Sequence, residues 1–158
     1  MTSPLPSGVY VIINEGTKQA VGATKVPHLE GTLPIRSTED SSVRPDIQFK
    51  ITHLKDNNYT VEVEGLPVVG INGHVVALVN PTVHVEWEIK PLPHIPGTRE
   101  VFAIKQVEPV AKGLLGITGY GWVLNNPEAG TDVTIKGLML TGPPLFHNPT
   151  QAWVFEKV

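Results

Sequence analysis

The chain has 158 residues, 41% of them hydrophobic and 17% charged, with a formal net charge of -3, fifteen glycines, fifteen prolines and no cysteine. That length and apolar fraction suit one globular domain spanning 1–158 with a sealed core. The absence of cysteine excludes a disulfide framework, a thiolate nucleophile and a zinc–thiolate site, and the mildly acidic balance argues against a nucleic-acid partner, which needs a basic face.

The opening "MTSPLPSGVYVI" lacks the basic start and unbroken apolar run of a secretory signal, because Pro4 and Pro6 interrupt it. No stretch reaches the roughly 20 apolar residues of a membrane helix. The expectation is a protein that is cytoplasmic, or released without a conventional signal peptide, and that has no membrane partner. Asn58-Tyr59-Thr60 matches the glycosylation sequon and reads here as the entrance of a strand.

Glycine and proline interrupt every candidate helix, whereas short valine- and isoleucine-rich runs alternate with turn residues. In chain order, four strands are predicted over 9–14, 20–24, 33–37 and 47–52, and the loop between the second and third of these reads "TKVPHLEGT". Four more follow over 59–64, 68–71, 75–79 and 85–90, with Asn72-Gly73 marking a type I′ hairpin turn. The last four are predicted over 101–107, 121–124, 132–136 and 152–157, and here "EPVAKGLLGITGYG" and "TGPPLFHNPT" read as irregular insertions.

The strands repeat. "DIQFKIT", "HVEWEIK" and "TQAWVFEK" each carry an aromatic residue (Phe49, Trp87, Trp153) followed two positions later by an apolar one (Ile51, Ile89, Phe155). "SGVYVII", "NNYTVEV" and "REVFAIK" carry Tyr10, Tyr59 and Phe102 among alternating β-formers. These two series divide the chain into units of 8–57, 58–99 and 100–158. No such unit can bury its apolar face alone, and three packed around a common axis share one core. The fold class expected is therefore all-β, a β-trefoil of twelve short strands in three pseudo-repeats, with a plain β-sandwich as the competing architecture.

Catalytic chemistry is not legible. Six histidines (His28, His53, His74, His84, His94, His147) show no metal-ligand spacing, so no metal and no cofactor are expected. "GITGYG" resembles a phosphate-binding loop, but no helix pattern follows it, and it reads as a tight turn. Ser37, Ser41 and Ser42 lie in no nucleophile elbow. Glu62 and Glu64 share a strand face, which a solvated surface explains. An enzyme is not expected; function must lie in the loops a barrel displays.

The opening "SGVYVIIN", the loop after the second strand, the middle strand "VEWEI", and "GPPLFHNP" ahead of "QAWVFEKV" resemble mushroom protease inhibitors of β-trefoil fold. In overall plan the chain is most similar to the cospin-type serine protease inhibitors, with the clitocypin and macrocypin cysteine protease inhibitors as the neighbouring group. The resemblance implies inhibition of a trypsin-like serine protease by the loop between strands two and three, here residues 24–32.

The residues of that loop support the implication in their own right. Lys25 is the long cation that a trypsin-like S1 pocket accepts. Thr24 before it is stiff and β-branched. Val26 precedes a proline and is driven out of the α region, and Pro27 fixes its own φ. The segment Thr24, Lys25, Val26, Pro27, His28 is thus biased towards the extended shape of a protease substrate, and a preorganised segment loses little entropy on docking. A lone loop lysine also serves solubility alone, and that reading stands beside this one.

Arg44 and Lys90 each precede proline, which blocks trypsin-like cleavage. The runner-up is Lys55, followed by Asp56, in the loop that plant Kunitz-type trefoil inhibitors use; Lys112 is third. Inhibition of cysteine proteases of papain or legumain type is the alternative, through "NEGTKQ" and "STEDSSVRPD" or through Asn57, Asn58 or Asn72. A ricin-B-like lectin is another: Gln151-Ala152-Trp153 fits its Q-x-W motif, and Trp122 with Asn125 and Asn126 could form one sugar site, although Trp122 also reads as core. The expected partner is a protease bound one to one by a monomer.

Overall fold

The computed structural model describes residues 4–24, 31–38, 45–79, 85–92, 99–107, 117–141, 146–147 and 149–158. Within β5 (Asn58–Val63), every second side chain, Tyr59, Val61 and Val63, is buried and those between them are not. This is the period-two pattern of a strand with one face on a core. β4 (Gln48–Lys55) and β8 (Trp87–Pro91) begin with the same alternation, whereas β1 (Gly8–Asn14), β9 (Phe102–Gln106) and β13 (Trp153–Lys157) bury two or three residues in succession, because smaller apolar clusters around Val11, Ala103 and Val154 cover their second face. These six close on themselves. β1 pairs with β4, β4 with β5, β5 with β8, β8 with β9, β9 with β13 and β13 with β1, every pair antiparallel. Closure leaves the ring without a free edge.

Three hairpins cover one end of the ring. They are β2 (Ala20–Ala23) with β3 (Thr32–Thr38), β6 (Leu66–Ile71) with β7 (His74–Leu78), and β10 (Ile117–Val123) with β11 (Thr134–Thr141). Each hairpin touches the other two: Pro34 of β3 faces Val76 of β7, His74 of β7 faces Thr134 of β11, and Arg36 of β3 bridges to Asp132 just before β11. A two-residue strand β12 (Phe146–His147) adds to β11, inside the stretch predicted as an irregular insertion. Among the described residues the only helical pieces are 3₁₀ turns at Pro45–Ile47 and Pro149–Gln151. Asn72 and Gly73 both take positive φ, 50° and 78°, as the predicted type I′ turn demands.

One sequence reading is overturned. Residues 117–121 of "GITGYG" are not a tight turn but the first part of β10, which has a bulge between Ile117 and Gly119; Gly116 lies outside the described residues. Its glycines serve close packing, not a turn: a Cβ on Gly121 would lie 2.1 Å from the Ile104 carbonyl oxygen of β9.

The core is aromatic and centred on Trp122. Phe49 of β4, Trp87 of β8 and Trp153 of β13 surround its ring edge-on, with centroids at 6.4, 5.6 and 5.9 Å. Such T-shaped pairs add about 0.5–1.5 kcal/mol each beyond area burial. The first sequence repeat is therefore the inner wall of the ring. The second repeat lies towards the end opposite the hairpins: Phe155 packs edge-on against both Tyr10 and Phe102, at 5.9 and 5.4 Å. The N-terminal segment crosses this end. Leu5 is buried, its carbonyl accepts from the Tyr59 hydroxyl at 2.8 Å, and the Pro6 carbonyl accepts from the Tyr10 hydroxyl at 2.7 Å.

Candidate functional site

The loop singled out in the sequence leaves β2 at Thr24 and returns at Gly31. Both stems are fixed. The Thr24 amide and the Thr24 hydroxyl both donate to the Pro34 carbonyl, at 2.9 and 2.7 Å. On the other stem the Gly31 carbonyl accepts from the Val79 amide at 2.9 Å, and Gly31 itself has φ 78°, which glycine adopts without strain. Six residues, 25–30, span these anchors. Lys25, Val26, Pro27 and His28 lie outside the described residues; Thr24 is half-buried against β3.

The remaining cations divide by backbone geometry. Arg36, Lys50, Lys90, Lys105, Lys136 and Lys157 lie within strands, their main chain engaged in sheet ladders. Lys105 is also half-buried in β9, and burial lowers its ammonium pKa. Lys18 takes φ 62° and pairs with Glu15 at 2.9 Å. Arg99 donates to Glu156 at 2.5 Å. Lys55 ends β4, and Asp56 after it takes φ 54°, so the bond between them turns straight into a left-handed corner. The Asp56 carbonyl is held there by the His53 ring at 2.7 Å. Arg44 and Lys112 lie outside the described residues.

The turn "NEGTKQ" is closed on itself. Asn14, fully buried, accepts from the amides of Gly16 and Thr17 at 3.0 Å each and donates to the Thr150 carbonyl at 3.0 Å. Asn57 lies in the β4–β5 turn, and Asn58 donates to Glu86 at 3.3 Å. Residues 39–44 of "STEDSSVRPD" are outside the described set, as are His28, His84 and His94. Among the described residues no three histidine or acidic side chains gather as a metal site.

Trp122 settles as core. It is wholly buried, so its face offers nothing to a sugar ring, and Asn125 and Asn126 are exposed beyond it. Trp153 of the Q-x-W motif is equally buried, and its indole donates to the Trp122 carbonyl at 3.0 Å.

A cluster that the sequence did not reveal lies where the three hairpins meet. Arg36 Nε donates to Asp132 Oδ1 at 2.5 Å, and His74 Nδ1 stands 3.6 Å from Asp132 Oδ2. The three residues come one from each hairpin region and are 38 or more positions apart, so no local motif could have joined them.

The model of the family described as peptidase inhibitor I66 matches residues 2–157, almost the whole chain. The chain belongs to this family. Its members are β-trefoil inhibitors, so the chain is an inhibitor of peptidases and not an enzyme. No curated protein matches it by sequence. Among solved structures, a proteinase inhibitor from Coprinopsis cinerea superposes with a TM-score of 0.75 at 19% identity, covering 98% of this chain and 99% of that one. The Rhizoctonia solani agglutinin superposes at 0.65 with 20% identity and complete coverage of both chains. A ricin B-like lectin from Macrolepiota procera, in complex with lactose, gives 0.65 at 16% identity, covering 99% of this chain and all of that one. These likenesses show a shared all-β fold; the inhibitor's own buried tryptophans separate it from a sugar-stacking surface.

Proposed function

We propose that the inhibitor acts on serine proteases of trypsin-like specificity, through the loop between β2 and β3, with Lys25 entering the S1 pocket and Thr24, Val26, Pro27 and His28 lying along the cleft. The chain is read as one β-trefoil domain over 1–158, built from three pseudo-repeats that each give two ring strands and a hairpin. Fungal origin and one-to-one binding by a monomer belong to the same proposal.

The observation that carries the reading is the double hold of the Pro34 carbonyl on Thr24, by amide and by hydroxyl. A loop that must present a lysine without giving way needs its residue before the lysine fixed, because order present before docking is not a cost of docking. Elimination supports it further. A protease cleft takes an extended backbone. Nine of the twelve basic residues are described, and each is in a sheet ladder, in or next to a left-handed corner, or ion-paired. Of the three others, Arg44 is followed by Pro45, which leaves Lys25 and Lys112. The geometry disfavours the runner-up Lys55, since the Lys55–Asp56 bond would have to unwind a corner to enter a cleft.

The test is a titration of the pure protein against trypsin, chymotrypsin, papain and legumain. Trypsin inhibition is expected, and Lys25→Ala should raise the inhibition constant by roughly 1000-fold, about 4 kcal/mol, as for a dominant anchor residue. Undiminished inhibition by Lys25→Ala would move the site to another loop. Inhibition of papain or legumain alone would establish the cysteine protease alternative. A lectin would be retained on immobilised glycan and released by free sugar.

A further inference from the structure

A cavity of about 200 Å³ opens at the junction of the three hairpins, beside the stem of the Lys25 loop. Thr32 and Pro34 of β3 form the wall nearest the loop, and the Pro34 carbonyl is the group that anchors Thr24. Ile71 and Val76 of the β6–β7 hairpin complete an apolar lining, with Asn72, His74 and Asp132 at the polar side. The volume is below the roughly 300 Å³ at which pockets for drug-sized molecules begin, and suits one large side chain. Its charge is balanced, because Arg36 is bonded to Asp132 Oδ1. The second oxygen, Oδ2, is too far from His74 Nδ1, at 3.6 Å, for a hydrogen bond, so the carboxylate of this lining residue keeps acceptor capacity. Apolar walls beside a carboxylate already neutralised by Arg36 favour an uncharged ring that carries a hydrogen-bond donor.

We infer that this pocket is an anchor site for one tyrosine side chain of the docked protease, adjacent to the reactive loop. The ring would lie on Pro34, Ile71 and Val76, and its hydroxyl would donate to Asp132 Oδ2. Buried tyrosines of this kind are over-represented among the residues that dominate protein interfaces. The inference rests on the reactive-loop reading for the identity of the partner, but the chemistry of the pocket is independent of it.

The experiment has two arms. In the first, ¹⁵N-labelled protein is titrated with N-acetyl-L-tyrosinamide. Saturable shifts are expected at the amides of Ile71, His74, Val76 and Asp132. N-acetyl-L-phenylalaninamide should bind at least about tenfold more weakly, since it cannot donate to Asp132, and Ile71→Trp or Val76→Trp, which fill the cavity, should abolish the shifts. Equal binding of the two amides, shifts surviving in both filled variants, or shifts produced by methyl β-galactoside in place of the tyrosine amide would each overturn the assignment. Ile71 is partly exposed, so its replacement keeps the arm readable should Val76→Trp fail to fold. In the second arm, Ile71→Trp should raise the inhibition constant against trypsin about tenfold or more while Lys25 is intact. An unchanged constant would overturn the protease as occupant. Tyrosine-amide binding that persists in a Lys25→Ala protein still able to inhibit trypsin would sink the loop reading and leave the phenol site standing.

Discussion

Trp122 and Trp153 are both wholly buried and lie in edge contact, yet their indole nitrogens have different fates. Trp153 Nε1 donates to the Trp122 carbonyl, whereas Trp122 Nε1 has no partner among the described residues. A buried unpaired donor costs about 1–3 kcal/mol, comparable with the packing lost when tryptophan becomes phenylalanine. Trp122→Phe should therefore change stability by only about 1 kcal/mol, while Trp153→Phe, which loses packing and a bond together, should cost about 2 kcal/mol or more. Urea midpoints at constant m-value report the difference. Equal losses would mean that Trp122 Nε1 is satisfied in solution, as by a buried water. At this scale the sequence was informative where periodicity spoke. Phe49, Trp87 and Trp153 stood out because they recur at the close of each unit. Trp122 read as core too, but not as its centre, because that place is set by three strands far from it in the chain.

Elements take their course from close approaches that sequence patterns do not record. The strand β10 begins four residues before its predicted start at 121 because glycines allow it to press on β9, and no pattern of apolar residues marks such a contact. A methyl group on Gly121 would meet backbone, the Ile104 carbonyl oxygen at 2.1 Å, and the Leu138 side chain at 2.9 Å. Backbone cannot move aside without breaking the β9 ladder. Gly121→Ala is thus expected to cost about 3 kcal/mol or more, at the upper end of overpacking, even though alanine is the better strand former of the two. Thermal unfolding followed by far-UV circular dichroism measures it. A loss under about 1 kcal/mol would show that β9 and β10 are further apart than described. The β2–β3 loop illustrates the converse. The bias that Val26-Pro27 imposes concerns residues outside the described set, whereas the anchoring of Thr24 is observed and was not readable, since Pro34 lies ten residues on, across a hairpin.

The whole molecule is a ring closed at one end by hairpins and at the other by its own N-terminal segment. The repeat spacing made the ring and the three hairpins legible. The strap was not, because Pro4-Leu5-Pro6 carries no strand pattern and its bonds reach 54 residues away to Tyr59. This end has a testable pH signature. Burial pushes the Tyr59 phenol up to about 12, from the ordinary 10, and burial also raises Tyr10. The sign follows from proton counts. Between about pH 10 and 12 the folded state holds a proton that the unfolded state has released, so stability is full below 10 and falls as pH rises through that window. A phenolate would also lose the hydrogen it donates to Leu5. Tyr59→Phe should cost about 1 kcal/mol at pH 7 through the lost bond and should flatten most of the alkaline decline, leaving the smaller part due to Tyr10. Urea unfolding at intervals from pH 8 to 11.5 resolves the two slopes. Parallel curves for Tyr59→Phe and the parent would mean that the strap is open in solution and the barrel end is wet. The decline should leave peptidase inhibition at pH 8 untouched, because it begins only near pH 10.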